Sequence, residues 1–391
     1  MPASTVLRQS FCSASALFRT LIIFKCCWVL LLANLAFADS VNDNVQQQIA
    51  KYVQEKYHEG EFHGAVLVAK NGEIIYEAGV GLANSTWGIP NATDIKYPLA
   101  SITKYLTSIV INQLVASGDI ELAKPANLYL REENLGLNPS ITIEHLLSHR
   151  AGLADHVYDL SDQEYLRLYG NHFVPPRTIV KNMTSRPQKF KPGTSSYYSN
   201  TGFVVLGLVI ESVTGKPFCQ VLKSRVFAPA NMHESGCLQN KEVVPRFATS
   251  YESDESKLLH VPFDHSNYSD GYAYSTPRDM LKLDIALRNE ILLPLALQNK
   301  MGKARIFEPW IEEHYGRLNQ LGYGYGLASW KIVSSNNQVT YTVVGHGGAG
   351  WGSTSTFWRI PKLGVVVIAF SNRSIWPFPV YEELVNLAVA N

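Results

Sequence analysis

The sequence contains a single Ser-x-x-Lys, Ser101-Ile102-Thr103-Lys104, at the point where an apolar helical pattern begins. Residues three apart share a helix face, so this spacing brings a serine Oγ within reach of a lysine Nζ. A lysine able to take the serine proton turns a weak nucleophile into one that attacks a carbonyl carbon. Backbone N–H groups at the same helix start favour the negative charge that then develops on oxygen. The plainer alternative is a serine N-cap followed by a solvated surface lysine.

Two further stretches carry complementary chemistry. Tyr198-Ser199-Asn200 follows Pro192-Gly193 and precedes a strongly apolar run. A tyrosine beside a lysine can act as base and later return the proton to the leaving group. Asn200 can hold the lysine and a substrate amide; the alternative is a core tyrosine with a capping asparagine. His346-Gly347-Gly348-Ala349 closes a β-type run over 341–344. Glycines beside a strand mark close backbone approach. A substrate lying along that strand edge would find a backbone N–H as a second oxyanion donor, whereas the alternative is a turn between strands.

The elements that must position these residues follow from periodicity. Residues 41–57 lack glycine and proline and predict a first helix. Runs 64–69 and 73–77 flank Asn71-Gly72, the strongest short-range hairpin signal. Ile102, Leu106, Ile109, Val110 and Leu114 keep the helical period up to about Gly118. A short helix is expected over 142–148, then a polar, aromatic stretch up to Pro192. The run 202–213, apolar nearly all round, reads as a buried helix. Residues 240–270 read as irregular and 276–288 as a helix. Strands are expected over 339–344, 353–359 and 364–370, with a last helix from about Tyr381. Strands at both ends with helices between them predict one sheet built from both termini.

Composition bounds the function. The 391 residues are 46% hydrophobic and 17% charged, as in a globular protein with a substantial core. Net charge is +1; Arg8, Arg19 and Lys25 fall in the first 38 residues, which hold no acid, and the remainder carries 31 basic against 33 acidic side chains. Neither balance suits a nucleic acid or a polybasic membrane contact. Residues 1–38 read as a leader: a basic stretch, an apolar run over 26–33, and Ala36-Phe37-Ala38 as a cleavage site. The run is shorter than the ~20 residues a spanning helix needs. A cleaved leader, a periplasmic or secreted protein and no stable membrane span thereafter are expected. Cys12, Cys26 and Cys27 leave with the leader, so Cys219 and Cys237 remain, either as a disulfide or as two buried thiols.

Several patterns mislead. His145 and His149 have the i, i+4 spacing of zinc ligands, but the acid sits at Glu144, outside an H-E-x-x-H. No metal and no cofactor is expected. Residues 345–350 match G-x-G-x-x-G, yet a strand pattern follows where a dinucleotide site needs a helix. No G-x-S-x-G occurs, which argues against an α/β-hydrolase elbow.

Taken in order, S-x-x-K at Ser101, Y-x-N at Tyr198 and [K/H]-[T/G]-G at His346 make the chain resemble the serine β-lactamase-like superfamily of class C β-lactamases, D,D-peptidases and related esterases. Stretches 62–68, 141–149, 274–279 and 325–327 are similar as well, and the resemblance covers roughly residues 45–390. It implies an α/β fold whose antiparallel sheet comes from 39–100 and about 320–391, flanked by helices, with a mainly helical insertion over about 101–319. It implies Ser101 as the acylated nucleophile, with Lys104 and Tyr198 sharing base and acid roles. Asn200, His346 and Gly348 would bind substrate, and the N–H groups of Ser101 and Ala349 would form the oxyanion hole. One departure matters. His346-Gly347-Gly348 lacks the lysine and threonine hydroxyl that grip a substrate carboxylate in the β-lactamases, and histidine is only partly charged near neutrality. The expected function is an exported serine hydrolase acting on D-amino-acid peptides, amides or esters. β-Lactam hydrolysis is the nearest alternative. A catalytically idle penicillin-binding or polymer-forming homologue is the rival from another class, although none of the three motifs is broken.

Overall fold

Asn71 and Gly72 both adopt left-handed backbone, with φ of 55° and 86°, as a tight two-residue hairpin turn requires. They join β1 (Gly64–Lys70) to β2 (Glu73–Val80). The computed structural model describes residues 44–130, 134–169, 173–238, 243–254, 257–261, 268–307, 320–333, 339–374 and 378–389. The predicted leader over 1–38 lies outside them. The chain divides into two units, residues 1–48 and 49–391; of the first, residues 44–48 are described, and they belong to a helix.

The other edge of β1 pairs antiparallel with a strand from the far end of the chain, Gly64 lying opposite Ser371. The remaining strands of this sheet are β3 (Gly322–Tyr323), β4 (Ala328–Val333), β5 (Thr340–Gly350), β6 (Ser353–Ile360) and β7 (Val365–Ser371). Their order across the sheet is β3-β4-β5-β6-β7-β1-β2, antiparallel throughout. The expected α/β architecture, one antiparallel sheet drawn from both chain ends, is therefore present.

Three smaller sheets of two or three strands are also present, and the helices are α1 over residues 44–58, α2 (Ile102–Ala116), α3 (Ile143–Leu147), α4 (Asp162–Tyr169), α5 (Pro176–Thr184), α6 (Asn200–Thr214), α7 (Phe218–Leu222), α8 (Pro277–Arg288), α9 (Leu295–Gly302) and α10 (Phe378–Val389). Helix α2 is buried on nearly every side. Its Leu106, Ile109 and Val110 share one core with Leu67, Ile368 and Phe370 of the sheet and with Val205, Leu206 and Val209 of α6. Each fully buried aliphatic or aromatic side chain contributes about 1.5–3 kcal/mol. This clamp fixes both α2 and the start of α6, where the candidate chemistry lies.

Three regions differ from the sequence reading. Within 240–270, read as irregular, residues Tyr251–Asp254 pair antiparallel with Lys257–His260. Strand β5 does not stop at residue 344. It continues to Gly350 because β6 pairs with it without a break, from Val344–Arg359 to Gly350–Ser353. The polar, aromatic stretch up to Pro192, where no helix was expected, contains α4 and α5. Their apolar stripes are narrow, with Tyr169, Ile179, Val180 and Met183 buried against a largely polar background. Cys219 and Cys237 are joined in a disulfide with Cα atoms 6.0 Å apart. Among the described residues no single helix is long and apolar enough to cross a membrane.

Candidate active site

Ser101 stands at the N-cap of α2, but its side chain makes no capping hydrogen bond. The turn that presents it is strained: Ala100 takes φ 44°, a left-handed conformation that costs an alanine roughly 1–2 kcal/mol. Neighbouring elements hold that turn. The Leu99 N–H donates to the Ala273 carbonyl at 2.8 Å, and Ser355 Oγ of β6 donates to the Leu99 carbonyl at 2.8 Å.

One helical turn on, Lys104 is wholly buried. Its Nζ lies 3.0 Å from Ser101 Oγ, 2.7 Å from Asn200 Oδ1 and 2.8 Å from the Asp270 carbonyl oxygen. Desolvation pushes the ammonium down to about 8, against the opposing fields of the Asp270 and Asp155 carboxylates. These three partners define what the lysine can do. An ammonium has three N–H donors, so the charged form satisfies all three contacts. A neutral amine has two donors and one lone pair, so one contact must reverse. The Asn200 and Asp270 oxygens are carbonyls and cannot donate. Only the Ser101 hydroxyl can turn its hydrogen toward Nζ. The site is thus built so that loss of the lysine proton aligns Ser101 O–H on a base.

Asn200 faces Lys104 with its oxygen because Asp155 claims its nitrogen. Asn200 Nδ2 donates to Asp155 Oδ1 at 3.0 Å. The fully buried Asp155 carboxylate also accepts from the backbone N–H groups of Val157 at 2.9 Å, Tyr158 at 3.1 Å and Thr201 at 3.2 Å, and from that of Asn200. It sits on the first N–H groups of α6, where unpaired donors and the helix dipole stabilise an anion. Ser199 caps the same helix by accepting from Gly202 N–H at 3.0 Å.

Tyr198 is buried with its ring centroid 5.1 Å from Lys104 Nζ. Its ring packs 4.3 Å from that of His149, centroid to centroid. His149 takes φ 57°, and its Nδ1 accepts the Ser199 N–H at 3.1 Å, which locks the Tyr198-Ser199-Asn200 backbone to the loop after α3. Half-exposed Tyr158 stands edge-on to Tyr198 at 6.2 Å.

His346 lies in β5 and is buried. Its Nε2 meets the Tyr323 hydroxyl at 2.9 Å, and Nδ1 bonds the Gly347 carbonyl. A neutral imidazole satisfies both contacts, Nδ1–H donating and Nε2 accepting. Burial holds the Tyr323 phenol well above its ordinary value, so it remains a donor. Gly348 closes the distance between sheet and helix. A Cβ there would lie 2.4 Å from the Leu99 carbonyl oxygen, 2.4 Å from Ser355 Oγ and 3.1 Å from Ser101 N. Strand β4 pairs with β5 only as far as Gly345. Residues 346–350 therefore have β6 on one edge and, among the described residues, no strand on the other. Ala349 on this segment is exposed.

Ser101, Lys104, Tyr198 and Asn200 converge, and Gly348 abuts the Ser101 turn, while His346 contacts Tyr323, whose ring packs against Tyr198. The two histidines with zinc-like spacing serve separate structural tasks: His145 completes the capping box of α3 with Thr142, and His149 braces Tyr198. Sequence reasoning missed Asp155, Asp270, His149 and Tyr323. The repeat Gly322-Tyr323-Gly324-Tyr325, beside the 325–327 stretch, was a signal for Tyr323. Nothing in the spacing links 155 or 270 to 104.

The chain matches the Beta-lactamase family model over residues 46–390. It is 28% identical over 272 residues to PbpX of Bacillus subtilis, assigned by name to the penicillin-binding proteins, covering 69% of this chain and 64% of that one. It is 32% identical over 208 residues to the esterase EstB of Burkholderia gladioli, covering 51% of this chain and 52% of that one. To the teichoic acid D-alanine hydrolase of Staphylococcus aureus it is 26% identical over 287 residues, covering 73% of this chain and 66% of that protein. Among solved structures, a penicillin-binding protein from Bacillus halodurans superposes with a TM-score of 0.73 at 26% identity, covering 85% of this chain and 98% of that one. The chain spans about 64% of PbpX and about half of EstB. It belongs to the β-lactamase family.

Proposed function

We propose that this protein is a serine hydrolase that cleaves ester or amide bonds through an acyl-enzyme on Ser101. The observation that carries this reading is the Lys104 contact set, in which Ser101 Oγ is the only partner able to give Nζ a proton. Oγ attacks the substrate carbonyl carbon and its proton passes to Lys104. The oxyanion is held by the N–H groups of Ser101 and Ala349. Lys104 and Tyr198 return the proton to the leaving alcohol or amine, and water then resolves the acyl-enzyme by the same route reversed. Asn200 orients both the lysine and the substrate amide.

The substrate class we favour is D-amino-acid esters, amides and short peptides, in line with the D-alanine hydrolase and esterase relatives. His346, buried and bonded through Nε2 to the Tyr323 hydroxyl, stands where the β-lactamases carry a lysine for the substrate carboxylate, which weighs against efficient β-lactam hydrolysis. The disulfide suits an oxidising compartment and supports export after removal of residues 1–38. Mass spectrometry after incubation with a fluorophosphonate tests the mechanism: Ser101 carries the adduct, and a folded but unlabelled protein overturns the reading in favour of an idle homologue. Turnover of D-alanyl esters, D-Ala-D-Ala peptides, p-nitrophenyl esters and nitrocefin then tests the class. Nitrocefin as the best substrate would replace it with β-lactams.

A further inference from the structure

The residue whose carbonyl holds Lys104 also carries a buried carboxylate that the mechanism above does not use. Asp270 is 1% exposed. Its Oδ1 accepts the Tyr268 N–H at 2.8 Å. Its Oδ2 has no hydrogen bond and lies 3.7 Å from Nε2 of His156, which is also buried and also without one. That separation is too long for a hydrogen bond and too short to admit a water between the atoms. The assignment of the His156 ring follows from its other side. Thr201 Oγ1 accepts the His156 backbone N–H at 3.1 Å and lies 3.1 Å from Nδ1. The hydroxyl hydrogen is free to point at Nδ1, and in that arrangement the ring hydrogen falls on Nε2, toward Asp270.

Both residues are anchored to the elements that carry the site. His156 follows Asp155 directly, on the loop that orients Asn200. Next to Asp270, the Ser269 carbonyl accepts from Thr107 Oγ1 of α2 at 2.7 Å, and Ser269 Oγ donates to the Phe203 carbonyl of α6 at 2.7 Å. The titratable groups around Lys104 are Asp155 and His156 from one loop and Asp270 from the other. Tyr198 and His149 lie on the α6 side, with Tyr323 and His346 of the sheet behind them.

We propose that His156 and Asp270 form a positioning couple for Lys104. The imidazole fixes the Asp270 loop, so that the carbonyl meets Nζ and an ionised carboxylate stays beside it. Through that charge the couple sets the pH at which Lys104 releases its proton toward Ser101. The kinetic consequence rests on the serine-hydrolase reading; the titration of Lys104 does not.

The test is the Lys104 titration in the full chain, followed by NMR of isotope-labelled lysine side chains, for wild type, Asp270→Asn, His156→Leu and His156→Gln. Removing the Asp270 charge lowers the Lys104 midpoint by about one pH unit. His156→Leu leaves Oδ2 facing no donor, frees the Asp270 loop to move its carbonyl and carboxylate away from Nζ, and shifts the midpoint in the same direction. His156→Gln restores an N–H and returns it to the wild-type position. If Asp270→Asn does not fold, the two His156 variants decide. Midpoints within about 0.3 units of wild type in the folded variants, with only the melting temperature lowered, would overturn the proposal and leave the couple a packing feature. Failure of the fluorophosphonate to label Ser101 would instead strike the hydrolase reading alone.

Discussion

Among the described residues, Lys104 and Arg359 are the most deeply buried cations, and the fold treats them in opposite ways. Arg359 of β6 sits behind the sheet with Nε 2.6 Å from the Asp284 carboxylate of α8, each residue at most 2% exposed. Lys104 sits at the helix start and touches only uncharged oxygens, while the nearest carboxylates act from beyond contact. Desolvation opposes the charged form in both cases. With a directly bonded carboxylate, Tyr105 and Asp284 outweigh it, and Arg359 is held above its ordinary value. With neutral carbonyls the burial effect wins, and Lys104 falls to about 8. A buried cation bonded directly to a carboxylate is a structural joint, whereas one bonded to carbonyls and a hydroxyl can exchange its proton.

The largest expected effect is at the exchangeable site. Lys104→Ala lowers the rate of Ser101 acylation by at least about a thousandfold, followed as the appearance of the adduct mass, while circular dichroism stays native. Acylation at near the wild-type rate would put the base elsewhere and dissolve the contrast. Asp284→Ala strikes the joint instead. It strands a buried guanidinium and costs about 3–5 kcal/mol of stability in urea unfolding, yet the folded fraction keeps its acylation rate. A loss of activity without loss of stability would mean that Arg359 serves the chemistry after all. The smallest effect is the pH dependence. Because burial disfavours the ammonium, the free amine gains as pH rises. Acylation therefore climbs about tenfold per unit below a midpoint near 8 and levels off above it. An acid limb near pH 6 would point to a histidine.

How much of this was readable beforehand depends on the range of the interaction. Asn71-Gly72 announces its hairpin because the turn is set by two residues. The α2 period announces its helix because the pattern repeats every turn. The three motifs in family order were enough for the family and for the antiparallel sheet. Strand β5 escaped in part, since a glycine-rich run becomes a strand only when a partner such as β6 lies alongside. Helices α4 and α5 escaped because a narrow apolar stripe in a polar stretch gains its meaning from the core it meets. Asp155, His156 and Asp270 were invisible as a group, being brought together from two loops far apart in the chain.

The same division runs through Ser101 and Lys104. Their proximity is a local property of the helix, so the sequence by itself determined it. The proton affinity of Lys104 is not local. It depends on dry surroundings, on an amide 96 residues away and on a carbonyl 166 residues away. Only the tertiary structure decided that those partners are neutral and that the lysine is buried away from bulk water, because both conditions arise from packing among distant segments.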